Sequence, residues 1–310
     1  MTTSDRAIEV TGLRKRYGSF EAVRGIDLHV DRAEVFALLG PNGAGKTTTV
    51  EILEGHRDRD GGAVDVLGHD PQRAGSAFRE QIGIVLQSTG VEPYLTVEET
   101  LRQFGGLYPH PRPLDEILEV VGLTEQRSTR VRRLSGGQQR RLDVAVGLSG
   151  DPDLLFLDEP TMGFDPAARR QAWDLVRNLQ SLGKTVFLTT HYMDEAQQLA
   201  DRLAIIVAGE IVVEGTPGEL MGRDHLSTIE FGATPAAAGL IAGVLGEVAL
   251  GETTVTVRTD RPTHALAMIT SRAEERGIEL EGLTVARASL EDVYLQLAAS
   301  EADDAAGSAS

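Results

Sequence analysis

Five consecutive apolar residues, Val35-Phe36-Ala37-Leu38-Leu39, run straight into a glycine-rich turn. An unbroken apolar run of that length reads as a strand buried on both faces. Shorter apolar or alternating runs predict further strands at 8–10, 26–30, 63–67, 82–86, 154–157, 185–189, 202–207 and 211–214. From about residue 92 to 148 the spacing becomes helical. Thr96-x-x-Glu99 is a capping box that opens a helix through Leu101 and Phe104. A second helix covers 114–121, and a third begins at Ser135. Asp165-Pro166, a cap followed by proline at the first helical position, starts another helix that reaches about Leu182. Strands alternating with helices predict a mostly parallel sheet with helices on its faces, so the fold class is α/β. The stretch 92–148 reads as an inserted helical subdomain.

Beyond Gly222 a second unit is expected, giving domains at 1–222 and 223–298. Its pattern is strand 227–232, helix 235–245, strands near 247–250 and 253–259, helix 262–276, strand 278–287 and helix 289–298. That order, a small α+β domain, is compatible with a ferredoxin-like split fold. The tail 299–310 is small and acidic and is expected to be disordered.

Composition narrows the function. The chain has 310 residues and no cysteine, which fits a reducing compartment and a core large enough to need no disulfide. The polar start does not read as a signal peptide. The longest uncharged run of note, 231–246, contains Pro235 and four glycines and is shorter than the roughly 20 residues of a span, so a membrane role must come from a partner. Net charge is -17, and both parts of the chain are acidic, which argues against a nucleic-acid binder.

Chemistry concentrates in three places. Gly40-Pro41-Asn42-Gly43-Ala44-Gly45-Lys46-Thr47-Thr48 fits a phosphate loop. Its backbone N–H groups can approach phosphate oxygens, Lys46 can reach the outer phosphates, and the Thr47 hydroxyl can ligate Mg²⁺. Asp158 ends an apolar strand, where a carboxylate needs a cation or hydrogen bonds, and Mg²⁺ on the phosphates would supply one. Glu159 points the other way along an extended chain and is assigned the attacking water. Ser135-Gly136-Gly137-Gln138 has two readings. It is a capping box, but capping does not call for two adjacent glycines, and bare N–H groups at a helix start form an anion site, so a second phosphate loop is the favoured reading.

The ordered set GPNGAGKTT, Gln87, LSGGQQRR, LLFLDEP, GFDP and His191 resembles the nucleotide-binding domain of ATP-binding cassette (ABC) transporters over residues 6 to about 220. The most specific element is LSGGQ lying between the two nucleotide motifs. The resemblance implies an ABC cassette with an inserted helical subdomain. It further implies that Tyr17 stacks on adenine, Gln87 touches Mg²⁺ and relays to the permease, His191 contacts the γ-phosphate, and Asp165 faces a partner subunit. Helix capping explains Asp165 equally well. The resemblance also implies that two copies meet head to tail, with ATP between the Lys46 loop of one and the Ser135 loop of the other. Phe164 stands where the family usually has leucine, and Met162 sits in a variable position.

Leu134 follows Lys46 by only 88 positions, which leaves no room for the coiled coils of chromosome-maintenance relatives. The ending Ser289-Leu290-Glu291-Asp292-Val293-Tyr294-Leu295 is similar to bacterial drug- and antibiotic-exporting cassettes, and it reads equally as a capped amphipathic helix. The resemblance therefore implies an ATPase subunit on the cytoplasmic face of a bacterial membrane, bound to a separate permease. The alternative is a soluble ABC ATPase without a permease, acting in translation or as a regulatory switch.

Overall fold

A computed structural model describes residues 5–85, 90–222, 227–233, 237–251, 253–287, 290 and 294. The chain divides into two compact units, 1–216 and 217–310. Gln87, most of the Ser289–Leu295 ending and the acidic tail lie outside the described residues.

In the first unit, β1 (Arg6–Tyr17), β2 (Phe20–Asp31) and β4 (Gly61–Val66) form a three-stranded antiparallel sheet in the order β2-β1-β4. The sequence under-read it. Alternating polar residues hid β1 and β2, each of which is 12 residues long and has one buried face.

The second sheet runs in the order β5-β6-β7-β3-β8-β9. Its strands are β3 (Val35–Leu39), β5 (Ile82–Val85), β6 (Leu154–Asp158), β7 (Thr185–Thr190), β8 (Arg202–Val207) and β9 (Glu210–Gly215). All pairs are parallel except β8–β9. The central strands β3 and β7 are buried along their whole length, as parallel strands covered on both faces require. Phe36, Phe156 and Phe187 stack across three strands at the middle of the core.

Between β5 and β6 lie the helices α3 (Val97–Gly105), α4 (Leu114–Val121) and α5 (Gly136–Gly147). The capping box predicted at Thr96 is present, with Glu99 N–H donating to Thr96 Oγ1 and Thr96 N–H donating to the Glu99 carboxylate. The first unit also contains α1 (Lys46–Leu53), α2 (Ser76–Gln81), α6 (Pro166–Ser181) and α7 (Met193–Leu199).

The second unit contains α8 (Pro217–Gly222), β10 (Ser227–Gly232), α9 (Ala237–Ile241), β11 (Glu247–Leu250), β12 (Thr254–Thr259), α10 (Pro262–Glu275) and β13 (Thr284–Arg287). Its sheet is antiparallel in the order β11-β12-β10-β13 around Ile229, Phe231, Val255 and Val257. The strand expected over 278–287 is only Thr284–Arg287. Residues 278–283 are irregular, and Ile278 and Leu280 pack on the core from a loop, which gave them the apolar signature of a strand.

Candidate functional site

Strand β3 delivers the Gly40–Thr48 loop to the start of α1, and the loop's shape demands glycine at two points. Gly43 has φ +82° and Gly45 has φ +107°, and a Cβ on Gly45 would stand 2.6 Å from the carbonyl oxygen of Ala22. Lys46 is only 6% exposed. Its ammonium donates to the carbonyls of Gly40 (2.7 Å) and Pro41 (3.1 Å). Burial pulls its pKa down, against the opposing pull of Glu159 and Asp158.

The loop borders an open cavity of about 220 Å³. Tyr17, Pro41, Asn42, Gly43, Gly45, Lys46, Thr47, Thr48 and Glu159 all line it, so the adenine-side tyrosine, most of the phosphate loop and one strand-end carboxylate surround one space. Gly40 and Ala44 belong to the loop without lining the cavity. The Tyr17 hydroxyl lies 3.5 Å from Thr48 Oγ1, and the Arg57 guanidinium sits 5.3 Å from the Tyr17 ring centroid.

Sequence reasoning missed two lining residues, Phe20 and Ala22. The signal was present in Tyr17-Gly18-Ser19-Phe20. A two-residue turn with glycine first pairs Tyr17 with Phe20 across a hairpin and sets two aromatic rings at the cavity mouth.

The carboxylates leave β6 in different directions. Asp158 Oδ1 accepts a hydrogen bond of 2.5 Å from the Thr189 hydroxyl. Glu159 adopts a left-handed φ of 44°, which is uncommon outside glycine. Its N–H donates to the main chain and hydroxyl of Thr189 on β7. This turn brings Glu159 Oε1 to 3.9 Å from Lys46 Nζ and 3.1 Å from His191 Nδ1. Two residues separated by more than thirty positions thus meet through the neighbouring strands β6 and β7.

The second glycine-rich loop stands apart from this cavity. Ser135 caps α5, with Gln138 N–H donating to Ser135 Oγ and Ser135 N–H donating to Gln138 Oε1. The capping reading is therefore realised. A Cβ on Gly136 or Gly137 would meet nothing within 4 Å, and neither residue has a positive φ. Asp165 likewise caps α6, accepting from the N–H groups of Ala167 and Ala168 at 2.8 Å.

Two buried carboxyls outside the predicted set are displaced from their usual range. Burial, reinforced by Asp158 and Glu51, pushes Glu54 up to about 8. Glu195 is wholly buried, and its pKa is raised by the same desolvation.

A mostly parallel sheet that carries a glycine loop, a buried lysine and strand-end carboxylates defines a P-loop nucleoside-triphosphatase. The profile of the "ABC transporter" family matches residues 23–162, and that of "ABC transporter domain-containing protein-like, C-terminal domain" matches 229–289. Daunorubicin resistance ATP-binding protein DrrA3 of Streptomyces coeruleorubidus is 40% identical over 95% of this chain and 96% of its own. Nod factor export ATP-binding protein I of Ralstonia nicotianae is 38% identical, covering 96% of this chain and 95% of its own. Among solved structures, cbiO1 from Clostridium perfringens, part of the ABC transporter complex cbiONQ, has TM-score 0.65 at 27% identity, covering 71% of this chain and 92% of that one. The chain belongs to the ATP-binding proteins of ABC transporters and is an ATPase.

Proposed function

We propose that this chain powers an export transporter, working as a head-to-tail pair on a separate membrane permease and driving efflux of a drug-like or lipid-like substrate. The observation that carries the reading is the convergence of Glu159 on Lys46 and His191 at the wall of the phosphate-loop cavity. The names of the relatives, drug resistance in one and Nod factor export in the other, support export and leave the cargo class broad.

In this reading the loop N–H groups and Lys46 hold the β- and γ-phosphates, and Tyr17 stacks on adenine with Phe20 across the hairpin. Glu159 takes a proton from the attacking water, and His191 orients that carboxylate beside the γ-phosphate. Thr47 and Asp158 offer hard oxygen donors, a set that suits Mg²⁺, an ion that keeps several waters and uses one or two protein oxygens. When bound, Mg²⁺ would neutralise phosphate charge. Gln87 keeps its family role as a metal contact and relay, at a position outside the described residues. The Ser135-Gly136-Gly137-Gln138 loop and Asp165 face the nucleotide and main chain of the second copy. No helix among the described residues is long and apolar enough to cross a membrane, so the proposed site of action, the cytoplasmic face of a bacterial membrane, requires the permease.

The test is recovery of the tagged chain from a detergent extract of its own cells, followed by ATP-driven uptake into inverted vesicles. Co-purification of a polytopic protein, with uptake lost in Lys46→Ala, is expected. Recovery on ribosomes with no membrane protein would replace export with the soluble alternative.

A further inference from the structure

Arg140 lies on α5 one turn beyond Gly136 and Gly137, and it is 8% exposed. Its guanidinium leaves the helix and donates to the main chain at the end of β6. Nε donates to the carbonyl of Pro160 at 3.2 Å, and Nη2 donates to the carbonyl of Asp158 at 3.1 Å. Those two carbonyls bracket Glu159, the residue held at φ 44° whose carboxylate meets Lys46 and His191. Asp143, one turn further along α5, forms an ion pair with the Nη1 of the same guanidinium at 3.7 Å.

A planar guanidinium bonded to two carbonyls fixes orientation as well as distance. An α-helix moves as a stiff rod, so a displacement at its opening glycines is carried to the next turn. The loop that faces the partner's nucleotide and the backbone that aims this chain's own Glu159 are therefore joined by one side chain.

We infer that Arg140 is a positioning residue that couples the two nucleotide pockets of the pair. By clamping the main chain on both sides of Glu159 to the helix that opens with Ser135-Gly136-Gly137, it makes hydrolysis in one pocket depend on occupancy of the other. This inference rests on the paired arrangement proposed above. It assigns the coupling to this chain's own interior and not to contacts across the seam.

The test uses the full-length chain with Mg²⁺ and a series of ATP concentrations. Wild type should show a Hill coefficient well above one, rising toward the number of sites. Arg140→Lys keeps a charge opposite Asp143 but loses the rigid planar pair of donors that fixes the orientation of the two carbonyls. It should bring the Hill coefficient close to one and lower kcat by roughly 10-fold. ATP-dependent dimerisation, measured by light scattering in the Glu159→Gln background, should change less than about 2-fold. Arg140→Gln, which retains one donor of similar reach, should behave as Arg140→Lys does.

Unchanged cooperativity in both variants overturns the inference, as does a parallel fall of kcat and dimerisation at an unchanged Hill coefficient, the mark of a structural tie. Failure of both variants to fold has the same meaning. A wild-type chain that hydrolyses with a Hill coefficient of one and never dimerises overturns the paired reading itself. A dimerising, cooperative wild type with indifferent variants removes Arg140 alone.

Discussion

The two glycine-rich loops of the first unit look alike in sequence and are built on opposite principles. In the Lys46 loop the glycines answer the chain's own needs: Gly43 and Gly45 sit at positive φ, and Gly45 leaves space for the Ala22 carbonyl. In the Ser135 loop nothing inside the molecule asks for Gly136 or Gly137, since a methyl on either would touch no neighbour and the backbone is ordinary helix. The helix would in fact gain from alanine at either position. A residue that costs stability and serves no internal contact is explained by something that approaches from outside. In the paired arrangement proposed above, the first loop is a finished pocket wall and the second is a wall that the other copy's nucleotide completes.

The sharpest way to break this comparison is to disable the chemistry of the finished pocket. Glu159→Gln should retain ATP and dimerise while turning over at least ~100-fold more slowly, measured by phosphate release. Turnover at the wild-type rate would remove Glu159 from its role and, with it, the distinction between pocket and half-pocket.

Next comes a matched pair of glycine substitutions. Gly45→Ala should destabilise the fold by roughly 1–3 kcal/mol, the usual scale for a strained backbone, and should weaken ATP binding. Gly137→Ala should leave thermal stability unchanged or raise it by up to ~1 kcal/mol. Its ATPase rate should nonetheless fall by at least ~10-fold, as when a charge-stabilising group is obstructed. Melting curves and steady-state rates on the same preparations decide it, and equal destabilisation by both would erase the contrast.

A smaller effect concerns Glu54, which closes α1 behind the Lys46 loop and is 5% exposed. Its pKa is raised to about 8 in the folded chain, from an ordinary 4.5. Between those values the folded state holds a proton that the unfolded state has released. Stability therefore falls as pH rises from about 4.5 to 8, and Glu54 adds no further slope above that. Glu54→Gln should flatten the decline and raise the melting temperature at pH 8. An unaltered pH profile would show that the carboxyl is already ionised in the fold.

The smallest effect belongs to the hairpin aromatics. Phe20→Ala should raise KM for ATP by about 5-fold and leave kcat intact, the low end of the roughly 1–3 kcal/mol that a base–aromatic stack is worth, because Tyr17 remains.

How much of this was legible follows from what each feature depends on. The Lys46 loop announced itself because its requirements are local: a buried strand, a turn and a helix start are adjacent in the chain. That Asp158 and Glu159 diverge was legible, although the device differs from the one expected: β6 ends at Asp158, and a left-handed turn at Glu159, not strand alternation, sends the two carboxylates apart. Their partners were not legible, because Thr189 and His191 arrive through the parallel pairing of β6 with β7, which no local pattern encodes. The hairpin that sets Phe20 beside Tyr17 was spelled out by Gly18-Ser19 and went unread because the flanking strands alternate with polar residues. Arg140 lies in the polar run Gln138-Gln139-Arg140-Arg141, which carries no local sign of burial, and only the fold turns it inward. In the second unit, Ile278 and Leu280 mimicked a strand because a loop can bury apolar residues as well as a sheet can.

The cap on α5 carries one last implication. Ser135 Oγ is occupied as an acceptor by the N–H of Gln138, at 3.3 Å, which leaves the hydroxyl proton free to be donated. Aspartate would begin the helix equally well but has no proton to give and bears a charge that repels an anion. Between two residues of equal merit for folding, only one lets the helix start offer a hydrogen to an incoming phosphate, so a Ser135→Asp chain should fold normally yet refuse its partner's triphosphate.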